Sequence, residues 1–138
     1  MYVLQLRNEN IIFSHETALF LNGISERTPF IHSFTVPRGY ALSESMKSNS
    51  VQFYIKRELF DLGLCERKTT FGNTVRCYNP ERTICDILRS RSRLDEETVI
   101  SGIKKYATSK EKDLFRLYEY ANQLKVLSQV KKYMEVLA

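Results

Sequence analysis

Cysteine, histidine and glycine are all scarce in this chain, and each scarcity removes a class of chemistry. The three cysteines, Cys65, Cys77 and Cys85, form an odd set with no Cys-x-x-Cys spacing, and His15 and His32 are the only histidines. Neither a disulfide framework nor a zinc cage is expected, and the chain reads as a reduced, cytoplasmic protein. The glycines, Gly23, Gly39, Gly63, Gly72 and Gly102, stand apart. There is no glycine-rich loop to cradle a phosphate, no dinucleotide fingerprint and no Gly-x-Ser-x-Gly elbow. No cofactor and no metal are expected. Nowhere do 18 uncharged apolar residues run together, and the opening "MYVLQLRNEN" has no basic segment followed by a long apolar one. Membrane spanning and secretion are therefore not expected.

What is present suits one folded domain over residues 1–138. With 43% hydrophobic and 12% aromatic residues, the chain can bury one core of ordinary size. Twenty-one Lys and Arg against 16 Asp and Glu give a net charge of +5, enough for weak attraction to nucleic acid and short of a histone-like arm. Residues 1–75 hold eight basic and seven acidic side chains, and residues 76–138 hold thirteen and nine. The C-terminal half carries the field.

Residues 1–79 read mainly as strands with one short helix. "YVLQLR" (2–7) suits a strand and Ser14 an N-cap for "HETALFLN", which Gly23 stops. "FIHSFTVP" sets Phe30, His32, Phe34 and Val36 on one face against Ile31, Ser33 and Thr35, the pattern of a half-buried strand. Residues 41–50, rich in serine, read as a surface loop. "VQFYIK" (51–56) suits a strand and "RELFDLG" a helical turn. "LCERKTTFGNTVRCYN" suits a hairpin, and a two-residue Gly72-Asn73 turn would set Lys68 opposite Cys77. From Asn79 the period changes to that of helices. Asn79 caps, Pro80 takes the first position, and Ile84, Ile87 and Leu88 form the buried stripe. Asp95 caps a second helix, Ser109 a third, and a fourth follows a break near Lys125. The pattern is α+β: a small, mainly antiparallel or mixed sheet, then a cluster of about four helices.

Few residues could carry chemistry. His15-Glu16 at a helix start could be an acid–base pair, although Glu also favours that position for its charge. His32, on the apolar face of a strand, reads as a satisfied core histidine. The pattern nearest to an enzyme is Asp61 followed by Glu66-Arg67-Lys68. Mg²⁺-dependent nucleases of the restriction-endonuclease type hold the metal with two such carboxylates and steady the phosphate with such a lysine. Against this, Asp61 lies close before Glu66, and a surface or cross-strand ion pair needs the same residues.

Arg89, Arg91 and Arg93 stand at every second position. On a continuous helix from Pro80, Arg82, Asp86, Arg89 and Arg93 fall on one stripe, so Asp86 can pair with Arg82 and Arg89. Arg91 can lay its stem over Leu88. Together with Lys104 and Lys105 these arginines form a candidate surface for nucleic acid or a partner. The plain cationic end of a helix is the alternative.

"IFSHETALFLNGISERTPF", "TVPRGY", "FGNTVRCYNPERTICDILRSR" and "KYMEVL" resemble the C-terminal domain of AbiEi-type antitoxins, from type IV toxin–antitoxin systems of bacterial abortive infection and phage resistance. "SHETAL" and "NPERTICDILRSR" are the most specific pieces, and the likeness spans almost the whole chain. It implies an antitoxin domain that opposes a nucleotidyltransferase-like toxin without a stable complex, and it carries over no catalytic residue. Relatives usually bear an N-terminal winged helix-turn-helix that represses their operon. The likeness begins where that domain would have ended, so it implies no operator recognition by these residues. Contact with nucleic acid would be weak and independent of sequence.

Overall fold

The computed structural model describes Gln5 and residues 10–137. The strand expected over residues 2–7 lies outside the described residues except for Gln5, which is helical. The fold is α+β, a five-stranded sheet followed by helices. Its strands are β1 (Ile12–Phe13), β2 (His32–Pro37), β3 (Ser50–Ile55), β4 (Leu64–Lys68) and β5 (Thr74–Tyr78), in the order β3-β2-β1-β5-β4. β1 is antiparallel to β2 and parallel to β5, β2 is parallel to β3, and β4 is antiparallel to β5. The sheet is thus mixed.

Strand alternation divides the core in two. Ile12 and Ile55 face the helical side, while Ile11, Phe13, Phe34, Val36 and Val75 build a smaller cluster on the other. β2 is buried on both faces, contrary to the half-buried reading. Its polar face is covered by α1 (His15–Leu21), and small hydroxyl side chains let the helix come close. Ser33 Oγ donates to the Ser14 carbonyl at 2.6 Å, and Thr35 Oγ1 donates to Ser14 Oγ at 2.8 Å. Phe30, expected on the strand, is fully exposed ahead of it.

The serine-rich loop contains a one-turn helix, α2 (Glu44–Ser48), because Ser43 accepts from the Met46 N–H as an N-cap. α3 (Arg57–Phe60) is the expected helical turn. The hairpin forms with a longer loop than expected. Thr69 and Asn73 close it by a 2.8 Å bond from the Thr69 N–H to the Asn73 carbonyl, and Gly72 sits at φ 86°. Lys68 therefore pairs with Thr74, and not with Cys77. Cys77 instead faces Cys65, their sulfurs 3.8 Å apart and both free. That contact lowers the Cys65 thiol to about 7 and, with burial, raises that of Cys77.

Four helices complete the domain: α4 (Pro80–Arg89), α5 (Glu96–Ala107), α6 (Leu114–Gln123) and α7 (Leu127–Leu137). Asn79 caps α4, accepting from the Arg82 N–H at 2.9 Å, and Asp95 caps α5. α6 is capped by Asp113 and not by Ser109, because the Ser109 hydroxyl accepts from the Glu111 N–H in the preceding turn. α4 is central, with every residue from Glu81 to Leu88 buried. Ile84, Ile87 and Leu88 pack with Val99, Ile103, Leu117, Val130 and Met134, and such side chains each contribute about 1.5–3 kcal/mol on full burial. Gly63, at φ 83°, presses the start of β4 onto α4. A Cβ there would meet Arg82 Cβ at 2.6 Å, so no other residue fits without a shift.

Candidate functional site

α4 is amphipathic in an unusual sense, because its sheet-facing side buries charge. Arg82 is fully buried and its Nε lies 3.0 Å from Asp86 Oδ1. Its Nη1 donates to the carbonyls of Leu59 and Leu62 at 2.7 and 2.8 Å, and its guanidinium lies 4.0 Å over the Tyr78 ring. Arg82 was expected at a binding surface. Its head is instead occupied in tying α4 to the end of α3, as free carbonyls at a helix end require donors. Asp86 was expected to pair with Arg89 as well, and does not. Its Oδ2 is buried with no hydrogen-bond partner among the described residues. Such an oxygen is costly unless something donates to it.

His15 meets this pair from α1. Its ring is buried, not at the surface as a helix-start residue would suggest: it is 2% exposed and stacks on Phe53 at 3.5 Å between centroids and 12° between planes. Its backbone is left-handed, φ 53°, a strain of about 1–3 kcal/mol for a residue with a side chain. The ring nitrogens fix it in place. Nδ1 is 2.7 Å from Ser14 Oγ and Nε2 is 3.1 Å from Ser90 Oγ. Burial, chiefly, lowers its pKa to about 4, with Asp86 opposing and Arg82, Arg93 and Arg89 adding to the fall. The ring is therefore neutral near pH 7. A neutral ring donates from one nitrogen and accepts at the other, and the two hydroxyls, Ser14 Oγ and Ser90 Oγ, can each take either role.

These groups wall a pocket of about 190 Å³. Thr35, Phe53 and Tyr54 come from the sheet, His15 from α1, Asp86 and Arg89 from α4. Ser90 and Arg93 close its rim. The guanidinium of Arg93 lies 4.1 Å over the Phe53 ring. Arg89 makes no hydrogen bond or ion pair with the described residues. Three arginines against one aspartate leave the pocket cationic, with donors at the rim.

The arginine comb is thereby divided. α4 ends at Arg89, and Arg91–Arg93 form a 3₁₀ turn. Arg93 lines the pocket with Arg89, while Arg91 turns the other way and donates to the Tyr133 hydroxyl of α7 at 2.5 Å. Lys104 and Lys105 are exposed on α5 beside Glu96, Glu97 and Ser101 and do not line this pocket. Of the expected residues the fold brings Arg82, Arg89 and Arg93 together, Arg82 with its head already occupied. His15, Ser90, Tyr54 and Asp86 were missed as a group, since they are mostly distant in sequence and carry no shared motif.

Asp61, Glu66 and Lys68 are all exposed, and Glu66 is the cross-strand neighbour of Arg76 on the edge strand β4. Among the described residues no group of three or more His, Cys, Asp or Glu side chains is placed to hold a metal ion. His32 is packed edge-on to Phe13, and its buried Nδ1 has no partner, so it is not the satisfied histidine expected. Among the described residues no helix is long and apolar enough to cross a membrane.

No protein-family model matches the chain, and no curated protein matches it in sequence. Among solved structures it is similar to the crystal structure of the Rv2827c protein of Mycobacterium tuberculosis, with a TM-score of 0.69 and 13% identity over 99% of this chain. This chain spans 55% of that protein's length, and at this identity the likeness is one of fold.

Proposed function

We propose that the chain is an antitoxin domain of a type IV toxin–antitoxin system, acting in the cytoplasm against a nucleotidyltransferase-like toxin and catalysing no reaction itself. One observation supports this reading above the others. The most specific segments of the resemblance, "SHETAL" and "NPERTICDILRSR", lie more than 50 residues apart, yet His15 of the first and Asp86, Arg89 and Ser90 of the second wall one pocket. Thr35, from "TVPRGY", joins them. A core-packing role alone would favour apolar residues at such a junction, because buried polar groups cost stability unless paired. A strained, buried, half-satisfied cluster is where a functional constraint is expected to override that preference.

The test is growth of cells that co-express this chain with the toxin encoded beside it. The expected outcome is restored growth with the wild-type chain and reduced rescue with Arg89→Gln/Arg93→Gln, whose side chains are exposed and outside the core, at unchanged expression and melting temperature. A folded, well-expressed wild-type chain that leaves growth arrested overturns the proposal.

A further inference from the structure

We infer that Cys65 and Cys77 form a peroxide-sensitive dithiol: Cys65 is the thiol that a hydroperoxide oxidises, and Cys77 closes on it to give a reversible disulfide between the edge strand β4 and its neighbour β5. The inference does not depend on the antitoxin reading, because it stands on the geometry of one hairpin.

The register comes first. Cys65 and Cys77 stand directly opposite each other in the antiparallel β4–β5 pair, so their side chains leave the same face of the sheet. Opposed residues in such a pair hold their Cα atoms about 4.5–5.5 Å apart, inside the roughly 4.4–6.8 Å that a disulfide spans. The sulfurs already lie 3.8 Å apart. The backbone is therefore placed for the bond, and what remains is side-chain rotation to an S–S distance of about 2.05 Å.

The two sulfurs differ in access. Cys65 is half-buried on the strand that ends the sheet, whereas Cys77 is fully buried. A hydroperoxide arriving from solvent meets Cys65 first. Contact with the Cys77 thiol holds the Cys65 pKa below the ordinary thiol value, with Arg67 adding to the fall while burial and Glu66 oppose it. The thiolate is the form that attacks, so Cys65 is also the readier nucleophile. Cys85 has neither property. It is buried in the larger core cluster, on the opposite side of the sheet, and burial raises its pKa.

The chemistry balances in two steps. The Cys65 thiolate attacks the terminal oxygen of the hydroperoxide, so that an S–O bond forms, the O–O bond breaks, and the departing alkoxide or hydroxide takes up a proton. The sulfur loses two electrons and the peroxide gains them. This removes the negative sulfur that, together with burial, had raised the Cys77 pKa. Cys77 then attacks the Cys65 sulfur: the S–S bond forms, the S–O bond breaks, and hydroxide leaves with the Cys77 proton as water. A dithiol reductant returns both thiols. In a reducing compartment, disulfides are usually transient and redox-sensing, which is the behaviour expected of this pair.

The experiment treats the reduced, folded chain with equimolar hydrogen peroxide and maps its peptides by mass spectrometry without reduction. The expected result is loss of two hydrogens from the intact mass, a linkage joining the Cys65 and Cys77 peptides, a free Cys85, and complete reversal by dithiothreitol. Cys65 should be consumed at least about tenfold faster than Cys85, as thiolate character and access dictate. In Cys77→Ala, Cys65 should accumulate as the sulfenic acid and be trapped as a dimedone adduct; in Cys65→Ala, Cys77 should stay reduced. If neither variant folds, the wild-type peptide map decides by itself. Oxidation of Cys65 to the sulfinic acid without a disulfide, a linkage that includes Cys85 or joins two chains, or no reaction in the folded chain overturns the inference. So does a folded Cys65→Ala whose Cys77 is oxidised as fast as Cys65 is in the wild type. Loss of growth rescue with the disulfide chemistry intact counts against the antitoxin proposal only.

Discussion

α4 carries two buried carboxylates, and they live in opposite circumstances. Glu81, 3% exposed, is closed: its Oε2 accepts from the Tyr106 hydroxyl at 2.6 Å and from the Asp113 N–H at 3.2 Å, and its Oε1 lies 3.7 Å from Arg116. Asp86, 4% exposed, is open: one oxygen holds Arg82, and the other holds nothing. Both sit on one helix at nearly equal depth. Burial therefore does not separate them; satisfaction does. Glu81 ties α4 to the start of α6 through the helix-capping segment, a purely structural duty that consumes its lone pairs. Asp86 gives half of its capacity to structure and leaves the other half unmet beneath a cationic pocket. Buried unsatisfied atoms are rare enough in folded proteins that this asymmetry marks the site.

The sharpest way to break the comparison is to remove the partner on the open side. Arg82→Met leaves Asp86 buried without its cation and two carbonyls without a donor, and it should cost about 3–5 kcal/mol. Chemical denaturation measures it. A loss below about 1 kcal/mol would mean that the pair behaves as an exposed one and that Asp86 is not buried as described.

Acid should reveal the next largest difference. His15 has a folded pKa of about 4 against 6.5 in the unfolded chain. Between those values the unfolded state binds more protons, so stability rises with pH there. It is fully present above about pH 6.5 and is lost as pH falls toward 4, by roughly 3 kcal/mol in all. Denaturant midpoints across pH 4–7 should slope accordingly, and the slope should flatten in His15→Gln. An unchanged slope in that variant would place the titrating group elsewhere.

The smallest effect belongs to the closed side. In Glu81→Gln the amide oxygen can keep both the Tyr106 and Asp113 bonds, and what goes is the charge assistance and the long, half-exposed pair with Arg116, together about 1 kcal/mol. A loss as large as that of Arg82→Met would erase the distinction between the two carboxylates.

How much of this was legible beforehand follows from how local each cause is. α4 could be read from Asn79, Pro80 and the Ile84–Ile87–Leu88 spacing, because capping and periodicity act within one or two turns. The α6 cap could not, since Ser109 and Asp113 are both good capping residues, and the fold uses Ser109 in the preceding turn while Glu81 accepts from the Asp113 N–H. The hairpin was legible as a hairpin, but a two-residue Gly72-Asn73 turn did not set its register; the bond from the Thr69 N–H to the Asn73 carbonyl closes a longer loop.

The sequence by itself determined the fold class, the helix starts at Pro80 and Glu96, and the excess of positive charge in the C-terminal half, because each rests on neighbouring residues or on plain composition. The tertiary structure alone decided which cations are free. A row of arginines two apart looks uniform as text, yet packing buries Arg82 among carbonyls, turns Arg91 to Tyr133, and leaves Arg89 and Arg93 beside His15, Ser90 and the unmet oxygen of Asp86. The physical reason is that a charged side chain takes its role from the acceptors and solvent around its head, and those are brought by segments far away in the chain.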